Sequence, residues 1–137
     1  MSIDVSTIDY KEPNASAQFE NSLKLSGFAI IKNHPIDQDL IQFVYKDWEE
    51  FFKNENKNDL LFNKDKQDGY FPFLTENAKN STIKDLKEFY HIYPWGKFPD
   101  TMGPSTMVLY DEIVSLASQL LGWLERECPL NVKSNFS

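Results

Sequence analysis

His34 and His91 are the two histidines of the 137-residue chain. Imidazole can ligate a metal or move a proton near neutral pH. His34 stands in Asn33-His34-Pro35, a turn that closes an apolar run; His91 lies on a candidate strand face between Phe89 and Tyr93. A single histidine in such a place is more often a hydrogen-bonded structural residue than a ligand or an acid/base group. Among the carboxylates, Glu49 and Glu50, and Asp111 and Glu112, are sequence neighbours on helical stretches. Helical neighbours do not face one another, so these pairs read as solvated surface. Glu88 is flanked by apolar residues on a strand and stands apart from them. A lysine partner such as Lys87 or Lys84, or exposure at an edge, accounts for it without chemistry. A small enzyme built on Glu88 and His91 remains a third reading.

Other nucleophile and phosphate signatures are missing. Cys128 is the sole cysteine, so neither an internal disulfide nor a cysteine-rich zinc site is open to the chain. It sits at a helix end with no histidine near in sequence and reads as an inert thiol. Gly27, Gly69, Gly96, Gly103 and Gly122 are isolated, so no glycine loop cradles phosphate, and no Gly-x-Ser-x-Gly elbow occurs.

The elements that position these residues follow from pattern. Phe28, Ala29, Ile30 and Ile31 run apolar between Gly27 and the Asn33-His34-Pro35 turn. That pattern predicts a strand over 28–33 buried on both faces. Ile3, Val5 and Ile8 suit a short edge strand closed by Pro13. Asn14 or Ser16 caps a helix to about residue 25, with Ala15, Phe19 and Leu23 on one face and Gly27 as its left-handed stop. Asp37 opens a helix over 37–53 whose stripe is Leu40, Ile41, Val44, Tyr45, Trp48, Phe51 and Phe52. So wide and aromatic a stripe calls for a sheet to pack on.

Residues 53–67 read as a linker-like, mobile surface stretch, with Leu60-Leu61-Phe62 as one helical turn dipping into the core. An edge strand is expected over 69–73 and a polar turn over 77–81. A strand over 86–93 places Leu86, Glu88, Tyr90 and Ile92 on one face and Lys87, Phe89, His91 and Tyr93 on the other. Ser105 or Thr106 caps the longest helix, to about residue 127, with Leu109, Ile113, Leu116, Leu120 and Leu124 on its stripe; Cys128-Pro129 stops it. Residues 130–137 carry no pattern. No internal repeat and no second domain is evident, so the expectation is one α+β domain over 1–137.

Composition narrows the partners. Net charge is −7, and Arg126 is the sole arginine. Nucleic-acid binding calls for a clustered basic stripe with arginine, so no nucleic acid is expected. No apolar stretch approaches the ~18 residues of a membrane span, and the first ten residues lack the features of a signal peptide. No membrane and a cytoplasmic location are the expectations.

The order of these pieces resembles the N-terminal region of the isopenicillin N synthase-like family of non-haem iron, 2-oxoglutarate-dependent oxygenases. Ile8-Asp9 is similar to the family's opening hydrophobic-Asp pair. Leu23, Gly27-Phe28, Ile31 and Asn33-His34 resemble its helix, Gly-Phe, strand, Asn-His-Gly signature. Trp48 with Phe51-Phe52 looks like the Phe-Phe that ends its next helix. Gly69-Tyr70 resembles its Gly-Tyr, and 85–92 its Lys-Glu-Phe strand. The likeness spans about 3–125. Two departures stand out: Pro35 replaces the glycine after Asn-His, and Lys66-Gln67-Asp68 occupies the neighbourhood where penicillin-forming members carry a substrate-binding arginine.

The resemblance implies N-terminal helices and a few strands that buttress a double-stranded β-helix, a jelly roll absent from this chain. The family holds iron with His-x-Asp and a distant histidine, a facial triad with open positions. Ile36 and Tyr93 stand two residues after His34 and His91, and Arg126 is followed by Glu127 and Cys128 rather than the family's Arg-x-Ser. The chain therefore carries no catalytic and no metal residue by this reading and binds no cofactor itself. Fe(II) and 2-oxoglutarate belong to the longer parent, which oxidises a small molecule. Tyr70 and Phe71 are the substrate-binding residues the resemblance carries over. The partner implied is the missing C-terminal catalytic barrel, in cis or in trans. The alternative is a non-catalytic, stand-alone binding or scaffold module of the same fold. Without the barrel, bare aromatic surface predicts self-association.

Overall fold

The computed structural model describes residues 5–75 and 82–128. The expected polar turn at 77–81, Ile3, Pro129 and the tail 130–137 lie outside the described residues. The chain divides into two compact units, one of 1–41 with 107–137, the other of 42–106.

In the first unit, β1 (Thr7–Asp9) and β2 (Ile30–Lys32) pair in parallel, Ile8 opposite Ile31. Parallel strands need a crossover, and α1 (Ala15–Ser26) supplies it. α1 ends as its sequence demands: Gly27 takes φ 76°, and its N–H bonds the Leu23 carbonyl at 2.9 Å. Its N-terminus differs from expectation. The Asn14 side chain accepts from the Gln18 amide at 2.7 Å instead of capping the backbone. Ile8, Ala15 and Phe19 form the buried core, with Leu23, Ala29 and Ile31 against it. α3 (Ser105–Glu127) covers that core with Leu120, Trp123 and Leu124 near its C-terminal end. Tyr10 stacks on Trp123 at 5.1 Å, and Phe19 meets it edge-on. Burying a side chain such as Ile8 contributes about 2 kcal/mol.

The short edge strand expected around Ile8 is present as β1, with Ile8 itself fully buried. One expectation is corrected here. The run 28–33 is not buried on both faces: Phe28 is 68 % exposed and Ile30 54 %. The cause is pairing. Among the described residues β2 has one strand neighbour, β1, and it is the alternate positions Ala29, just before β2, and Ile31 that reach the core.

In the second unit, β3 (Gly69–Phe71) and β4 (Phe89–His91) pair antiparallel, Tyr70 opposite Tyr90. α2 (Gln38–Lys53) starts at its expected cap, where Asp37 Oδ1 accepts the Asp39 N–H at 2.9 Å. Its aromatic end packs on the sheet: Trp48 lies 5.1 Å and Phe51 5.5 Å from Tyr90, centre to centre. The Trp48 indole N–H donates to the Thr106 hydroxyl at 3.1 Å. α3 (Ser105–Glu127) already begins at Ser105, so Thr106 stands inside its first turn rather than at the cap expected of it.

The helical turn expected at Leu60-Leu61-Phe62 lies earlier, as a 3-10 helix over Glu55–Leu60 capped by Asn54. Leu61 instead bridges Tyr70, and the Phe62 N–H donates to the Tyr70 carbonyl at 2.9 Å. The expected edge strand at 69–73 is thus an inner one, flanked by β4 and by 61–62, and all three β3 residues are buried. Gly69 is what lets 60–62 come so close. Its φ is +105°, and a Cβ there would stand 2.6 Å from the Leu60 carbonyl oxygen.

Candidate functional site

Strand alternation divides the second unit's sheet into two chemically different faces. One face carries Tyr70, Tyr90 and Glu88 against α2; the other carries Phe71, Phe89 and His91. The strand expected over 86–93 is regular only over Phe89–His91; Glu88, Tyr90 and Ile92 line one slot as the alternation predicts, and Phe89, His91 and Tyr93 contact one another in series.

The first face holds the ionic cluster of the site. Glu88 Oε2 accepts from the Lys57 ammonium at 2.8 Å and from the Tyr70 hydroxyl at 2.6 Å. Lys57 also donates to the Phe52 carbonyl at 2.5 Å and lies 5.4 Å from the Tyr70 ring centre. The ion pair is about one-sixth exposed on each side. Burial pushes the Glu88 carboxyl up, but the hydrogen bonds from Lys57 and Tyr70 outweigh it and leave it below the ordinary glutamate value. The bond to Glu88 raises Lys57, against burial. Burial first, then Glu88, raises Tyr70. Burial and the nearby Asp68 charge push Tyr90 up to about 12.

The expected Glu88 partners were Lys87 or Lys84; the ammonium that binds it comes from Lys57 on the 3-10 helix. Lys87 pairs with Asp85 instead. Sequence reading missed Lys57 because nothing local couples it to a strand 31 residues on. It missed Asp68 as well. Asp68 is 2 % exposed, its Oδ2 accepts the Lys97 backbone N–H at 2.7 Å, and its buried Oδ1 has no hydrogen-bond partner among the described residues. The Asp68-Gly69 pair is a turn signal that could have drawn attention to it.

The second face is an aromatic stack. Phe71 lies between Phe62 at 4.2 Å and Phe89 at 4.6 Å, both nearly parallel. His91 packs on Phe71 and Phe89, and one ring nitrogen, Nδ1, lies 3.0 Å from the Gln67 carbonyl. Tyr70 and Phe71 are therefore both buried, at 3 % and 1 % exposure. His34 belongs to the other unit, with Nε2 at 3.2 Å from the Gln38 amide nitrogen and a buried, unpartnered Nδ1.

These donors do not fit iron by the facial-triad pattern. The two histidines belong to different units, and among the described residues the hydrogen-bond partners of their rings are the Gln38 amide and the Gln67 carbonyl, neither a carboxylate nor an imidazole. Among the described residues no three potential ligands converge. The second unit also holds a cavity of about 620 Å³, with Asp47, Glu50, Asp59 and Asp100 around an apolar wall of Phe51, Leu60 and Pro99. None of the described helices is long and apolar enough to cross a membrane.

Comparison with known proteins bears on this arrangement. The family model described as the N-terminal part of the non-haem dioxygenase in morphine synthesis matches residues 2–108. The crystal structure of a candidate oxygenase from Shewanella oneidensis superposes with TM-score 0.84 at 38% identity, covering 96% of this chain and 46% of that one. A candidate 2OG-Fe(II) oxygenase family protein from Caulobacter crescentus superposes with TM-score 0.65 at 22% identity, covering 91% of this chain and 48% of that one. The chain thus spans about half the length of these solved structures. No curated protein matches it.

Proposed function

The chain belongs to the N-terminal family of the non-haem, isopenicillin N synthase-like dioxygenases, and we propose that it forms the N-terminal part of a 2-oxoglutarate- and Fe(II)-dependent oxygenase acting on a small molecule. The observation that carries this reading is the 38% identity to an oxygenase-class structure over nearly the whole chain but under half of that protein. Among the described residues no three potential ligands converge; in this reading metal and co-substrate chemistry belongs to a C-terminal barrel, in cis or in trans. A second feature agrees. Among the described residues β2 pairs only with β1, and Leu25, Phe28 and Ile30 are solvent-exposed, which suits the addition of a further strand or apolar cover.

In this reading Tyr70 and Phe71 wall the substrate pocket from behind. Phe71 is clamped between two phenyl rings, and the Tyr70 hydroxyl is committed to Glu88. Both hold neighbouring groups in place rather than reach into open space. The test is to read the gene beyond the Ser137 codon and assay the encoded product for oxygen-dependent conversion of 2-oxoglutarate to succinate. An open frame carrying His-x-Asp and a later histidine, with succinate formed, supports the proposal. A stop codon with no complementing barrel overturns it in favour of a stand-alone binding module.

A further inference from the structure

Glu88, Tyr90 and Ile92 share one strand face, and with Trp48 and Phe52 of α2 and Phe89 they line an open slot of about 310 Å³. That is the lower end of the range for small-ligand pockets. Trp48 forms its back: Phe52 and Tyr90 each rest on the indole, at 5.9 and 5.1 Å. The Trp48 N–H is taken by Thr106, so the indole offers the slot its ring rather than a donor. The charged side chain of the lining is Glu88, and the Tyr90 hydroxyl is committed to the Lys97 carbonyl at 3.0 Å. Both of its described hydrogen bonds end on Oε2, and Oε1 has no partner among the described residues, yet it is not sealed from solvent.

We propose that this slot binds a compact organic ammonium ion, with the cation against the Trp48, Phe52 and Tyr90 rings and its charge facing Glu88 Oε1. Charge complementarity carries the proposal. The ring faces are negative, tryptophan most of all, and an ionised carboxylate has acceptor capacity to spare after two bonds. Lys57 does not fill the role. Its ammonium is already shared among Oε2, the Phe52 carbonyl and the Tyr70 ring. An anion would meet Glu88 directly, and a neutral apolar molecule would leave Oε1 unused. The inference rests on the slot alone and does not depend on the oxygenase reading.

The experiment is an NMR titration of the whole chain with tetramethylammonium chloride at constant ionic strength, with tert-butanol as the neutral probe. The expected result is a saturable one-site shift confined to the Trp48 indole N–H and backbone 88–92, with no saturation by tert-butanol. Glu88→Gln should weaken the cation about fivefold, a change of the size expected when one favourable charge contact is lost. Ile92→Lys, which sets a cation in the slot without touching Glu88, should abolish binding. Saturation by tert-butanol with equal affinity overturns the proposal, since the slot is then merely apolar. So does the absence of any saturable shift, or a folded Ile92→Lys chain that binds as before. Should Glu88→Gln fail to fold, Ile92→Lys decides the matter alone.

Discussion

Gly69→Ala should be among the most damaging single-methyl additions this chain can receive. Gly69 has φ +105°, a conformation an L side chain adopts only under strain of order 1–3 kcal/mol. The new Cβ would also lie 2.6 Å from the Leu60 carbonyl oxygen and 3.2 Å from both the Leu61 oxygen and Phe62 Cα. Those contacts are backbone, so relief requires moving 60–62 away from β3. The move would stretch the 2.9 Å bond from the Phe62 N–H to the Tyr70 carbonyl and open the Phe62–Phe71 stack. Overpacking of this kind costs about 1–3 kcal/mol more, so the total is about 2–6 kcal/mol. Gly122→Ala is the internal control. It lies within α3, a Cβ there meets nothing within 4 Å, and alanine should stabilise the helix by about 1 kcal/mol. Urea unfolding followed by near-UV circular dichroism measures both. A loss below about 1 kcal/mol for Gly69→Ala would refute the claim that 60–62 needs a bare backbone at β3.

Other outcomes follow from the same contacts. Glu88 is held below the ordinary 4.5, so its contribution is complete above that value and fades as pH falls through the lower folded value. Lys57→Met should flatten this acid slope and cost about 1–3 kcal/mol at neutral pH by leaving the largely buried Glu88 with the Tyr70 hydroxyl but no ammonium, readable in unfolding curves at several pH values. Tyr90, pushed up to about 12, should remain un-ionised when ordinary tyrosines near 10 have titrated. The ultraviolet difference between the chain and Tyr90→Phe should appear only near pH 12, and the stability that Tyr90 adds should be lost as pH rises past 10. Phe28→Lys with Ile30→Lys should reduce self-association in sedimentation velocity, because these side chains are 68 % and 54 % exposed; unchanged self-association would place the sticky surface elsewhere.

Helices were the most legible part of the sequence. Caps and stripes are local, so Asp37, Gly27 and the apolar spacing of α3 marked real boundaries. Strand burial was not, because it depends on partners the pattern does not name. Phe28 and Ile30 look like core residues and face solvent, whereas Tyr70 and Phe71 look like edge residues and lie inside. The ionic cluster was half legible. Glu88 is conspicuous between apolar neighbours, but its lysine comes from a polar stretch that reads as surface. Asp68 was silent, since a buried aspartate next to glycine is written like any turn.

The central claim is that this chain supports an oxygenase whose metal-holding half lies outside it. Anaerobic titration of the 137-residue chain with Fe(II) and 2-oxoglutarate, alone and together with the C-terminal barrel proposed to complete it, tests that claim most directly. The account predicts a metal-to-co-substrate charge-transfer band from the combination and none from the chain alone. A tight one-to-one iron site on the chain itself, with His34 and His91 as ligands, would contradict it.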